Sequence, residues 1–326
     1  MNRTLGFLVL VVTFMMLLSF SFDQPYITDT IPDTDIIAEE VGNQTDTTTE
    51  QEEINQQDDE EAQFTDKIEK DNDANSESQT NGICAGSSKI YTILGESGNL
   101  TSDQMESVKK WRAEIIKYAE ENPSQIFVNG FTSEKKICLT FNDGPDGQVT
   151  PQVLDILNKY HVKASFFFTG SKLEQNPELV IRAYQEGHLV LSHAWSHQQL
   201  RSLSQQEIRQ EIELTEDKIY ELIGERPSLI RPPAGYIDKN AASIIKNKGY
   251  KIALWSIDTM DWTQTDKSSI VKNVTENIRP GDIILMHCDS TNTETVKALP
   301  EIITKLRQKG YQFVDLGEML QINPYR

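Results

Sequence analysis

From Lys136 onward this 326-residue sequence predicts an α/β fold, a parallel sheet or barrel with short loops. Two observations carry the prediction. Short apolar runs alternate with amphipathic helical stretches. Five polar motifs also follow one another along the chain, each at or just after the end of an apolar run, with one a few residues further on. That is where α/β barrels collect their chemistry.

Upstream of this region, Arg3 precedes an almost unbroken apolar run, Thr4 to Phe22. Its length is near the roughly 20 residues that span a bilayer. A cleaved signal peptide has a shorter core and a small-x-small site, for which only Ser19-Phe20-Ser21 is available. Residues 1–22 are therefore expected to be a signal anchor, with a cleaved signal peptide as the alternative. Either reading gives an extracytoplasmic protein, anchored in the cell membrane by residues 4–22 or secreted if cleaved. Residues 23–83 are expected to be a disordered acidic linker. From Asp23 to Thr80 there are 19 acids against two lysines and few aromatics, too little apolar surface to offset ordering entropy. From Asn81 on, 31 acids meet 28 bases, so the rest is near neutral and carries no nucleic-acid footprint. Three cysteines (Cys84, Cys138 and Cys288) form no disulfide framework. Cys138 reads as a buried small hydrophobe, and no motif supports a catalytic role for Cys288.

Residues 84–130 read as an N-terminal helical extension. A helix is expected over 100–122, capped by Thr101-Ser102-Asp103, carrying Met105, Val108, Trp111, Ile115, Ile116 and Tyr118 at a rough helical period, and closed by Asn122-Pro123. The main domain, 131–326, alternates. Strands are expected at Ile137–Phe141, Ala164–Phe168, Leu189–Ser192, Leu229–Arg231, Ile252–Trp255, Ile283–Met286 and Phe313–Val314. Helices are expected at Pro151–Tyr160, Pro177–Glu186 and Ser204–Ile223, and near 239–248, 267–277 and 294–309. There is no internal repeat.

The motifs are Thr140-Phe-Asn-Asp-Gly-Pro145, His193-Ala-Trp-Ser-His197, Arg231-Pro-Pro-Ala-Gly235, Asp258-Thr-Met-Asp-Trp262 and Leu285-Met-His287. They hold three of the five histidines. His193 and His197, four residues apart, can share one ion, and Asp143 adds a hard oxygen. Two imidazoles and a carboxylate suit Zn²⁺ with an open position. Arg231 sets a permanent charge beside a stiff turn whose backbone N–H groups suit an oxyanion. Asp261 is a partner that would hold the His287 ring and raise its pKa, making it a general acid. Trp262 offers a face of the kind sugars stack on.

In this order the motifs resemble those of the polysaccharide deacetylase family, the NodB homology domain of carbohydrate esterase family four, over about Lys136 to Ile322. The resemblance implies a distorted (β/α) barrel that removes acetyl groups from N-acetylated sugars, with peptidoglycan or another cell-wall or surface polysaccharide as partner. It implies that Asp143, His193 and His197 bind Zn²⁺, or Co²⁺ or Ni²⁺. It makes His287 the acid that protonates the leaving amine and Asp261 the group that tunes it. The N–H of Ala234 becomes an oxyanion donor, and Pro145, Trp262 and Leu285 become substrate contacts.

The sequence departs from the family pattern twice. Ala234 replaces an aromatic residue, which keeps the backbone donor and loses a stacking face. Asn142 stands where the family has a catalytic-base aspartate paired with the arginine of the third motif. A neutral amide takes no proton from water near pH 7, and a positioned base is worth about 10²–10⁴ in rate. Three readings stay open: a slower N-deacetylase, a glycan-binding pseudoenzyme, and an O-acetyl esterase whose better leaving group needs less help.

Overall fold

Seven buried or nearly buried residues in a row, Lys136–Asn142, form β2, the strand on which the sheet is centred. Continuous apolar strands of this kind belong to parallel sheets covered on both faces. The computed structural model describes residues 89–263 and 265–326. The expected signal segment, acidic linker and Cys84 lie outside the described residues, which fall within one compact unit, Ile83–Arg326. Among them no helix is long and apolar enough to cross a membrane.

In chain order the elements are α1 (Ser102–Glu121), β1 (Ile126–Phe127), β2, α2 (Val149–Lys159), β3 (Ser165–Phe168), α3 (Gly170–Leu173), α4 (Pro177–Gln185) and β4 (Leu189–Ser192). Then come α5 (Gln205–Ile223), β5 (Leu229–Ile230), α6 (Lys239–Asn247), β6 (Lys251–Ala253), β7 (Ile257–Asp258) and α7 (Lys267–Thr275). The chain ends with β8 (Ile283–His287), α8 (Thr293–Gln308), β9 (Gln312–Phe313) and α9 (Leu316–Leu320). The long helices start where the side chains cap them. Thr101 with Gln104 and Ser204 with Glu207 make reciprocal capping boxes at α1 and α5. Gly224 ends α5 in the left-handed conformation.

Every strand pair is parallel, in the order β1-β6-β5-β4-β3-β2-β8-β7, with β9 also on β2. The result is a parallel-sheet half-barrel with helices packed on it. Side chains alternate between its faces. Cys138 and Phe167 join an inner core with Ile115 and Ala119 of α1, Ile230, Ile252 and Trp255. Ile137, Leu139, Phe141, Phe166 and Phe168 join an outer core beneath α2, α4 and α8. A parallel sheet puts all strand C-termini on one rim, so the ends of β2, β4, β5, β7 and β8 bring residues 142, 193, 231, 261 and 287 together.

The expected strands and helices are present within a few residues. Two strands were not anticipated, β1 and β7, each only two residues long and therefore without readable period. The extension is also not purely helical. Leu94 bridges Ile257 on the β7 edge and β1 pairs with β6 on the other.

Candidate metal and catalytic site

β2 ends at Asn142, and the chain reverses through Asp143 at φ 64° and Gly144 at φ 48°. A Cβ on Gly144 would meet Cys288 Sγ at 2.8 Å and Thr150 Oγ1 at 2.9 Å, so only glycine fits. Pro145 is buried behind this turn. Five of the seven non-glycine residues with positive φ among the described residues lie in the motifs: Asp143, Ala194, His197, Ala234 and Met260. Backbone strain is concentrated where side chains must be aimed.

The turn presents Asp143 to the two histidines after β4. Asp143 Oδ1 lies 3.2 Å from His197 Nε2 and 3.7 Å from His193 Nε2. One ligand atom from each of the three lies within 4.8 Å of the others. His193 is fully buried, and its Nδ1–H donates to the Arg231 carbonyl at 2.6 Å. That bond fixes the tautomer and leaves the Nε2 lone pair free, a buried atom with no hydrogen-bond partner. Burial, with His197 beside it, pushes the His193 ring down to about 3, so it is neutral as a ligand must be. Burial works against charge on Asp143, but His197, His287 and His193 outweigh it and hold the carboxyl below the ordinary carboxylate range. An orphaned imidazole nitrogen, an ionised carboxylate and an exposed second imidazole are a donor set that fits a divalent transition ion.

Glu211 of α5 secures the histidine turn. Its carboxylate accepts from the N–H groups of Trp195 and Ser196 and from Ser196 Oγ, at 2.7–2.9 Å. Gly170 lets α3 approach that turn, for a Cβ there would meet Trp195 at 2.5 Å.

On the opposite side, His287 at the end of β8 is gripped by Asp261. The His287 N–H donates to Asp261 Oδ2 and its Nδ1–H to Oδ1, both at 2.8 Å, and Thr295 Oγ1 also donates to Oδ2 at 2.6 Å. Burial opposes charge on the ring, yet the Asp261 charge and hydrogen bond, with Asp143 further off, hold it up at about 9. His287 is thus a cation at neutral pH with Nε2 free to donate. Trp262 is half-buried, and its indole N–H goes to Asp258 at 3.1 Å. Leu285 is buried, and Ala234 is exposed at the tip of the turn 233–235.

Arg231 is fully buried and donates to four neutral oxygens: Ala253 O, Leu254 O, Thr140 Oγ1 and Asn142 Oδ1, at 2.7–2.9 Å. Burial holds its pKa below the ordinary arginine value. With the Asn142 oxygen committed to Arg231, the other terminus of that side chain is an NH₂ group, a donor where a base would accept. Cys288 donates to the Asn142 carbonyl, and burial pushes its thiol up, so it is no nucleophile. A separate cavity of about 260 Å³ lies at the other end of β3 and β4, beside His161 and His188, away from all of these groups.

The structure therefore brings together two clusters, Asp143–His193–His197 and Asp261–His287, with Arg231–Asn142 adjoining the first in sequence and hydrogen bonding. Sequence reasoning missed Glu211, Thr295 and Arg112. Arg112 had a signal: it falls on the apolar stripe of α1 between Val108 and Ile115.

The polysaccharide deacetylase family model matches residues 129–253. The peptidoglycan-N-acetylglucosamine deacetylase PgdA of Listeria monocytogenes is 42% identical over 194 residues, 58% of this chain; the chain spans 41% of that protein's length. A peptidoglycan-N-acetylglucosamine deacetylase of Bacillus cereus is 38% identical over 192 residues, 58% of this chain and 90% of that protein. Among solved structures, a CE4 family pseudoenzyme from Bacillus anthracis superposes with a TM-score of 0.56 at 28% identity, covering 60% of this chain and 68% of that one. A mutant of it is described as having restored enzymatic activity. The motif geometry and these matches lead to one conclusion: the chain belongs to the polysaccharide deacetylase family.

Proposed function

We infer that this protein is a metal-dependent deacetylase of N-acetylglucosamine-containing cell-wall polysaccharide, most simply peptidoglycan, working slowly for want of its base. It faces the wall from outside the membrane. The observation that carries the reading is the Asp261–His287 dyad, a part-buried imidazole on a fully buried carboxylate at the rim, beside the Asp143, His193 and His197 group that could hold a metal ion. Asp143, His193 and His197 would hold the ion, Zn²⁺ by donor type with Co²⁺ or Ni²⁺ as substitutes. When bound, such an ion polarises the acetyl carbonyl and acidifies water.

The chain's own residues supply the rest. Asp261 holds the ring through Nδ1, which leaves the Nε2 proton of His287 as the one to give. Water adds to the acetyl carbon and, with no base at position 142, gives its proton to solvent; the His287 proton passes to the amide nitrogen as the C–N bond breaks, so the products are acetate and glucosamine as a neutral amine rather than an amide anion. The N–H of Ala234 would stabilise the developing oxyanion. Leu285 and Trp262 wall the acetyl and sugar positions, with Pro145 behind the turn. Asn142 keeps the shape of a base and none of its proton affinity. His287 cannot replace it at neutral pH, because a ring with a pKa of about 9 already carries both protons.

A second reading, a glycan-binding pseudoenzyme, is favoured by that same Asn142–Arg231 contact and by the likeness to the Bacillus anthracis pseudoenzyme. The decisive experiment measures acetate release by the full-length Zn²⁺-loaded chain and its Asn142→Asp variant on N-acetylglucosamine oligomers, peptidoglycan and an O-acetylated polymer. A slow native rate that rises about 10²–10⁴-fold in Asn142→Asp supports the deacetylase. Activity in the variant alone supports the pseudoenzyme. Preference for the O-acetyl polymer makes it an esterase, and silence of both proteins on every substrate defeats the proposal.

A further inference from the structure

Residues 89–128 precede the family-matched stretch 129–253, yet they reach the rim chemistry. β6 ends at Ala253 and β7 begins at Ile257, and the N-terminal segment binds the edges of both. Leu94 N–H donates to Ser256 O at 3.0 Å and Leu94 O accepts from Asp258 N–H at 2.8 Å, while β1 pairs with β6. Gly95 permits the close approach, since a Cβ there would sit 2.0 Å from the Asp258 carbonyl oxygen.

Between these two contacts α1 buries Val108, Arg112, Ile115 and Ala119 along one face. Arg112 is the one charge on that face and is 5% exposed. Its Nη1 donates to Gly95 O at 2.7 Å. Its Nη2 donates to Asp258 Oδ2 at 2.9 Å and reaches Met260 Sδ at the same distance. Asp258 is fully buried, and among the described residues Arg112 is the cation paired with it. The other oxygen of Asp258 accepts from the Met260 N–H at 2.9 Å and from the Trp262 indole at 3.1 Å. Met260 is held at φ 61°, and the next residue is Asp261. One unbroken chain of contacts thus runs from α1 through Asp258 to the turn that carries Asp261 and Trp262, and on to His287.

We propose that Arg112 is a positioning residue of the rim site: by holding and neutralising Asp258 it sets the 258–262 turn, and so the placement of Asp261 against His287 and of Trp262 beside the substrate. This rests on the deacetylase reading. A buried carboxylate stripped of its cation either takes a proton or moves toward water, and in both cases the turn loses its anchor. Trp111, the neighbour of Arg112, packs at 5.8 Å centroid separation on both Trp255 and Tyr236, beside the 233–235 turn. Two consecutive residues of α1 therefore buttress the third and fourth motifs.

The test uses the full chain with Arg112→Met and Arg112→Lys, matched for folding by circular dichroism. The first readout is the ¹H–¹⁵N resonance of the Trp262 indole, assigned with Trp262→Phe. The second is kcat and KM for acetate release in the Asn142→Asp background. Arg112→Met is expected to displace the Trp262 resonance and lower kcat by about 10- to 100-fold with KM nearly unchanged, and Arg112→Lys to recover part of both. An unmoved Trp262 resonance in folded Arg112→Met overturns the proposal, as does a displaced resonance with unchanged kcat. If Arg112→Met does not fold, Arg112→Met/Asp258→Asn, which buries no unpaired charge, takes its place with kcat against KM as the criterion, because Asp258→Asn changes the indole's own acceptor; an unchanged kcat overturns the proposal. Absence of acetate release in every background defeats the deacetylase reading instead, and the resonance then judges Arg112 alone.

Discussion

At the scale of single residues, Arg231 donates its hydrogen bonds to neutral oxygens in full burial, and Asn142 is the partner that one isosteric substitution turns into a carboxylate. In Asn142→Asp the contact, already charge-assisted by the guanidinium, becomes a buried ion pair with charge on both partners. The variant should be more stable by on the order of 1 kcal/mol and melt about 2–4 °C higher, read by calorimetry. A lower midpoint would show that desolvating the new carboxylate outweighs its pairing. The same variant gives a clean pH profile. His287 must be protonated to donate, and its pKa is raised to about 9, so kcat/KM should fall as pH rises through about 9 rather than through the ordinary histidine range. Replacing Asp261 by Asn removes the charge that holds it there, and the falling limb should move down toward 6.5. A limb that stays in place would exclude His287 as the acid.

At the scale of elements, α5 shows both what the sequence reveals and what it hides. Its start and end were legible from Ser204, Glu207 and Gly224, because capping is local chemistry. Glu211 was not, because its partners Trp195 and Ser196 are joined to it only by the fold. The carboxylate secures a turn with two residues in left-handed backbone, Ala194 and His197, so its loss should loosen the histidine pair. Glu211→Ala is expected to weaken Zn²⁺ binding by about 10–100-fold in calorimetric titration, with Glu211→Gln in between. Equal affinity in all three proteins would assign Glu211 to stability alone. The motif residues themselves were legible because each motif stands at or soon after a strand end, where the continuous apolar run stops and a polar group begins. Arg112 shows the opposite case: an arginine in an amphipathic helix is ordinary until the stripe it occupies is seen to be buried.

At the scale of the whole molecule, alternation of apolar runs and helices was enough to predict a parallel sheet with its chemistry on one rim. It could not give the strand order, nor show that one N-terminal segment reaches both sheet edges, since a two-residue strand and a single bridge leave no periodic trace. Those contacts carry backbone hydrogen bonds as well as the inner-core residues Ile93, Ile115 and Ala119. Deleting residues 89–125 uncovers the β7 edge and the inner core together and leaves β1 on β6 as a free chain end. The shortened chain is expected to lose its near-ultraviolet dichroism and to aggregate; a soluble product with a native spectrum would show the 126–326 portion to be self-sufficient.

The Asp143, His193 and His197 cluster does not depend on what occupies position 142. A small molecule that chelates metal and fills the rim therefore has no means of telling a fast hydrolase from a silent one, because it reads coordination and not proton transfer. Wherever this protein is present beside a faster relative, it would compete for such a compound mole for mole, and the dose needed to block that relative would follow this protein's abundance rather than its turnover.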